Sequence, residues 1–94
     1  MSIIYKYEFR DTSPIMVPFF QSHVIHVGSS NNEPALWVEH AVPPKDYGDA
    51  RVFILIPTGQ DFDSTEFEHV GSTISGEQMW HVYGAKNLTV RTAS

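Results

Sequence analysis

The sequence predicts an all-β fold: a small antiparallel sandwich or barrel carrying a pseudo-repeated hairpin. Three observations lead there. Apolar residues alternate with a period of two near the N-terminus, no segment shows sustained helical periodicity, and one dodecamer recurs. HVGSSNNEPALW (26–37) is answered by HVGSTISGEQMW (69–80), with His, Val, Gly, Ser and Trp held in place.

The elements follow in order. From Ile3 to Arg10, Ile3, Tyr5, Tyr7 and Phe9 alternate with Ile4, Lys6, Glu8 and Arg10, which describes a half-buried strand. Asp11 to Pro14 is turn chemistry. Ile15 to Val17 reads as a short edge strand stopped by Pro18, with room for a helical turn over 18–21. Ser22 to Gly28 holds a β-branched cluster and reads as a strand. Ser29 to Pro34 then serves as a hairpin connection, and Ala35 to Val42 as the return. The proline-led loop PPKDYGD (43–49) reads as the longest irregular connection and a natural place for mobility. Arg51 to Ile56, RVFILI, is apolar on both faces and predicts a strand buried on both sides. Pro57-Thr58-Gly59 ends it. Thr65 to Thr73, a turn at 75–77 and Gln78 to Tyr83 make the second hairpin. One domain is expected over 1–86, with 87–94 a tail or an added edge strand through Leu88 and Val90.

Each repeat thus reads as one hairpin. Gly28 and Gly71 stand where a bulge or positive φ is tolerated. Ser29 and Ser72 are placed to bond local backbone. Each hairpin is led by a strand, which suggests a pseudo-two-fold arrangement.

Composition narrows the function. The chain has 94 residues, six basic and eleven acidic, for a net charge of −5. That disfavours non-specific nucleic-acid or anionic-membrane binding. Cysteine is absent, so disulfides and thiolate metal sites are excluded. No apolar run approaches the roughly 18 residues of a spanning helix, and the N-terminus lacks a signal-peptide pattern. A soluble cytoplasmic protein is expected. A domain this small buries modest surface, so a homo-oligomer is expected too.

Seven short motifs, in order, carry a resemblance: Ile4-Tyr5-Lys6-Tyr7-Glu8, Ile25-His26-Val27, Leu36-Trp37, Arg51-Val52-Phe53, Thr58-Gly59, Val70-Gly71-Ser72-Thr73 and Trp80-His81-Val82-Tyr83. Over residues 3 to 83 the chain resembles a family of small proteins of unknown function encoded mainly by bacteriophages and prophages. Many members carry His after the Thr-Gly pair, where this chain has Gln60. The resemblance implies a phage accessory protein in the cytoplasm of a bacterial host, and it brings no catalytic residues with it.

The residues themselves offer little catalysis. His23, His26, His40, His69 and His81 are possible metal ligands, but His23 and His26 are not spaced to chelate along a strand. No nucleophile elbow and no phosphate loop occurs. Neither a metal nor a cofactor is expected, and no enzyme. Asp61, Asp63, Glu66 and Glu68 hint at nucleic-acid mimicry, though a solvated surface is the ordinary explanation.

A ligand site is the more informative expectation. Tyr5, Tyr7, Trp37, Tyr47 and Trp80 offer flat faces for stacking a base. Lys6, Lys45 and Arg51 offer positive charge, and Thr58-Gly59-Gln60, with His81, offers polar groups after a buried strand. The expected ligand-binding set is Tyr5, Lys6, Tyr7, Trp37, Arg51, Thr58, Gly59, Gln60, Trp80 and His81. The ordinary alternative is that both tryptophans fill the core. The functional expectation is a non-enzymatic phage accessory protein that counters host defence by sequestering a small nucleotide-like signal. The alternatives are an inhibitor that binds a host defence or replication protein, and a small hydrolase.

Overall fold

A computed structural model describes residues 2–45 and 48–91. The described residues form eight strands: β1 (Ile3–Glu8), β2 (Ile15–Pro18), β3 (Ser22–Ser30), β4 (Glu33–His40), β5 (Gly48–Pro57), β6 (Phe67–Ser75), β7 (Gln78–Ala85) and β8 (Thr89–Arg91). Two antiparallel sheets result, ordered β1-β4-β3 and β2-β5-β7-β6, with β8 added along β5. They pack face to face as a sandwich, and no closed barrel forms.

Alternation builds the core between them. Leu36 and Val38 from β4 meet Phe53 and Leu55 from β5, Val82 from β7, Val17 from β2, and Phe9. Burying each such side chain contributes on the order of 1.5–3 kcal/mol. The strand containing RVFILI is central, but the expected burial on both sides holds only in part. Phe53, Leu55 and Ile56 are buried, while Val52 and Ile54 are only half-covered on the outer face.

The pseudo-two-fold pattern appears in the pairing. In each part the leading strand lies beside the return strand of the hairpin, β1 beside β4 and β5 beside β7. β2 departs from this pattern and joins β5 in the second sheet.

Local chemistry moves several boundaries. Asn31 and Asn32 both adopt positive φ, 52° and 64°. This is the pattern of a type I′ turn, whose twist matches the strands it joins. The ladder therefore runs up to Ser30↔Glu33, and Ser29 to Pro34 is not a loop. In the second hairpin Gly76 takes φ 65° and the ladder reaches Ser75↔Gln78. Residues 20–21 form a turn with Gln21 at φ 50°, in place of the helical turn expected over 18–21. The longest connection is not PPKDYGD but 58–66, which must pass β7 to reach β6. Phe62 from this connection packs on Tyr83, with centroids 4.7 Å apart. Thr89–Arg91 pairs beside Gly48–Ala50.

The two HVGS copies do not occupy equivalent positions. Each hairpin has a bulge, but β3 slips between Val24 and His26, whereas β6 slips between His69 and Gly71. A one-residue slip sends every following side chain to the other face. Gly28 therefore sits with His26 and Trp37 on the outer face, paired His26↔Trp37 and Gly28↔Ala35. Gly71 pairs with buried Val82 and faces inward. A Cβ on Gly71 would lie 2.7 Å from Val27 Cγ2. There β3 and β6, the facing edges of the two sheets, come closest. Ser29 bridges them by donating to Ile74 C=O at 2.6 Å.

Candidate functional site

One end of the sandwich opens into a cleft of about 560 Å³, within the range of small-molecule sites. Pro18 and Phe20 wall one side; Val42, Pro43, Pro44 and Lys45 come from the connection after β4, and Gly48 and Asp49 open β5. His40 forms part of the lining and is 1% exposed.

The hydrogen bonds around His40 fix its tautomer. Ser22 Oγ donates to Phe20 C=O at 2.9 Å, which uses its only proton. It must therefore accept from His40 Nδ1–H, at 2.7 Å. Nε2 is left as an acceptor, and the Tyr7 hydroxyl donates to it at 2.9 Å. Burial lowers the His40 pKa and so supports the neutral ring. Tyr7 is raised, first by burial and then by neighbouring Tyr5. Tyr5 adds an edge-on contact to the imidazole at 5.8 Å. His40 is thus a fully bonded part of the cleft, held neutral by β1, β3 and its own burial.

A second cluster lies on the outer face of the other sheet. Thr58 Oγ1 meets His81 Nε2 at 2.8 Å, His81 Nδ1 meets Ser72 Oγ at 2.8 Å, and Ser72 Oγ meets His69 Nε2 at 2.9 Å. The cross-strand pairs Ser72↔His81 and His69↔Tyr83 place these groups side by side. With His81 protonated, its two N–H groups donate to Ser72 and Thr58. Those hydroxyls then donate hydrogen bonds to His69 Nε2 and, over a long 3.4 Å, to Met79 C=O. With His81 neutral and Thr58 donating to Met79 C=O, Nε2–H donates to Thr58 and Nδ1 accepts from Ser72. His69 and His81 are 6.2 Å apart by ring centroid, and no third His, Asp or Glu among the described residues joins them as a metal set. The backbone N–H groups of Thr58 and Gln60 beside them donate to Met79 and Pro57 C=O, so neither is offered to an oxyanion. The arrangement ties β6, β7 and the start of the 58–66 connection together.

Over residues 1–92 the chain matches the model of a domain family described as a domain of unknown function, DUF7352. The chain belongs to this family. Comparison with curated proteins and with solved structures finds no match. No helix among the described residues is long and apolar enough to cross a membrane.

The expected ligand-binding residues are dispersed across this DUF7352 domain. None of the ten lines the end cleft. Tyr5 and Tyr7 come nearest, through His40. Lys6 and Trp37 share the outer face of the first sheet, paired Lys6↔Trp37, with the His26 ring tilted against Trp37 at 5.0 Å. Trp80 packs against the core from the inner face. Thr58 and His81 do meet, but Gly59 and Gln60 beside them are exposed turn residues. Arg51 is committed internally. It donates to Ala85 C=O at 2.8 Å and to Glu68 Oε1 at 2.6 Å, and lies over the Phe19 and Phe53 rings at 5.4 and 5.2 Å. Gly84 makes room for it, since a Cβ there would fall 2.7 Å from the guanidinium carbon. The acidic run is also partly internal, because Glu68 takes Arg51 and Asp63 accepts from Thr65 N–H. Tyr47 lies outside the described residues.

Sequence reasoning missed Phe20, Pro43 and Pro44, and named His40 only as a possible metal ligand. The signal was present for two of them, since paired prolines after a strand make a stiff apolar wall. Nothing in a lone His before Ala-Val marks it as buried.

Proposed function

We propose that this DUF7352 domain is a binding protein that holds a small nucleotide-like molecule in the end cleft without altering it. The observation that carries this reading is the cleft itself. Flat, rigid side chains from Phe20, Pro18, Pro43 and Pro44 suit a planar ring, and the lining carries one cation, Lys45, and one anion, Asp49. The bonded, neutral His40 supports binding over acid–base work, because both ring nitrogens are already engaged. The likeness to phage-encoded proteins supports a role in the cytoplasm of a bacterial host, where the domain would remove a defence signal from circulation.

The test is a thermal-shift screen of the purified chain against cyclic, linear and ADP-ribose-type nucleotides. Mass spectrometry of the ligand released on denaturation completes it. A stabilising nucleotide returned intact, with the shift lost in Phe20→Ala, supports the reading. Phe20 is 53% exposed, so that variant should keep its fold. No shift across the panel sinks the proposal, and a chemically altered ligand points to a hydrolase. A second reading, a protein inhibitor, draws on one observation. Ile74 and Met79 pair across β6 and β7 on the outer face while 61% and 42% exposed. A single stoichiometric partner retained from host lysate, and lost in Ile74→Asp, would favour it.

A further inference from the structure

The outer edge of β1 has no neighbouring strand among the described residues. Hydrogen-bond parity shows what it offers. Phe9 N–H donates to Pro34 C=O at 2.9 Å, continuing the register Ile3↔His40 through Glu8↔Ala35. Bonded pairs alternate in an antiparallel ladder, so Ile3, Tyr5 and Tyr7 turn their N–H and C=O groups toward β4. Ile4, Lys6 and Glu8 turn theirs to the open side. Ala41 N–H donates to Gln21 C=O on the far side of β4, which fits the same alternation. The edge is apolar as well, with Ile4 55% and Tyr5 46% exposed. Such an edge is a template for another strand.

Parity limits how a second β1 can dock, because the bonded pairs must come from Ile4, Lys6 and Glu8 on both copies. With Lys6 opposite Lys6 of the second copy, two ammonium groups would face each other, which is repulsive. Moving one pair along sets Lys6 opposite Glu8. Lys6 Nζ donates to Ser30 Oγ at 2.7 Å and lies 3.6 Å from Glu8 Oε1 in its own chain; swung toward the edge, it completes a square of alternating charges on the outer face in the offset register. Tyr7 then falls on the two-fold axis, Tyr5 faces Phe9 of the second copy, and Ile4 lies under the stem of its Arg10. The opposite offset places Lys6 against Ile4 and pairs no charges. The lysine that discourages direct alignment therefore selects the offset register.

We propose that the free edge of β1 pairs antiparallel with β1 of a second copy of this chain, Lys6 of each opposite Glu8 of the other. The first sheets then merge into one of six strands, β3-β4-β1-β1-β4-β3. This interface is separate from the ligand reading and stands or falls without it.

Sedimentation velocity over a concentration series tests it. The parent chain should dimerise. Lys6→Glu alone, or Glu8→Lys alone, sets like charges opposite and should weaken the dimer by about tenfold or more. Mixing those two single variants should restore a dimer, as should the double exchange Lys6→Glu/Glu8→Lys. These variants leave Tyr7 and its bond to His40 in place, and circular dichroism checks their fold. The chain has no cysteine, so a single Tyr7→Cys variant should cross-link on oxidation, and a Tyr5→Cys variant should not. A parent chain that stays monomeric, single variants that dimerise as well as the parent, mixed variants that fail to pair, or cross-linking through position 5 would each overturn the proposal.

Discussion

The same substitution placed in each HVGS copy should have very different costs. In Gly71→Ala the new methyl would sit 2.7 Å from Val27 Cγ2 and 2.8 Å from Val27 Cβ. Relaxed carbon contacts lie near 3.5–4.0 Å, so about 1 Å must be recovered by movement. Val27 is β-branched and stiff, and it is anchored in β3 through Val27↔Leu36. The strand must move, at a cost of about 1–3 kcal/mol. In a domain of this size each kcal/mol lowers Tm by about 4–8 °C. In Gly28→Ala the close atom, at 2.7 Å, is Nε2 at the end of the exposed His26 side chain, which can turn away. That cost should stay within about 0.5 kcal/mol. Urea and thermal unfolding, followed through Trp37 and Trp80 fluorescence, would measure both. Val27→Ala removes the closest contact, so its combination with Gly71→Ala should be less than additive by at least about 0.5 kcal/mol. Equal costs at the two glycines, or strict additivity, would refute the inward placement of Gly71.

Three further expectations follow from the polar contacts. Arg51→Met should cost about 1–3 kcal/mol by urea titration, since it removes a carbonyl bond, an ion pair and ring contacts at a side chain 12% exposed. Glu68→Gln, at a side chain 61% exposed, should stay within about 1 kcal/mol, and a larger loss than that of Arg51→Met would invert the assignment. His40 has a pKa below its ordinary 6.5, so the unfolded chain takes up its proton first as pH falls. Stability should be full above 6.5, decline as pH drops from there toward the lowered folded value, and level off below it. The His40 contribution to that decline should vanish in His40→Gln, and an unchanged pH profile would contradict burial of the neutral ring. Ser72→Ala should cost less than about 1 kcal/mol yet shift the imidazole nitrogen resonances of both His69 and His81 in ¹⁵N spectra, and unmoved signals would show that the hydroxyl does not bridge them.

Strand content was legible because the side chains of a strand alternate between faces, which writes a period of two into residues such as Ile3, Tyr5 and Tyr7 even though Tyr5 at the open edge stays 46% exposed. The place of RVFILI inside its sheet was legible for a different reason, an unbroken apolar run. The faces were not. Trp37 and Trp80 occupy matching positions in the repeat, yet one lies outside beside His26 and the other packs inward, because each bulge sits at a different point before them. A bulge depends on backbone geometry at one residue, and Val24-Ile25-His26 and His69-Val70-Gly71 give no side-chain sign of which will slip. The ligand set scattered for a related reason. Arg51 offered a charge in sequence, but only the fold shows Glu68 arriving across Gly84 to take it. Thr58 and His81 could be singled out, whereas their 2.8 Å contact depends on pairing between β5 and β7.

β2 belongs by sequence to the first part of the chain and by hydrogen bonding to the second sheet. A polypeptide cut after Pro44 would leave one piece with a strand that has no sheet, and another whose β5 has a bare edge along Ala50–Phe53. Each lacks what the other carries, and Ile15↔Phe53 and Val17↔Arg51 define a single way to rejoin them. The two fragments should therefore behave as a complementing pair, inert apart and reassembling on mixing, a property suited to reporting when two fused proteins meet.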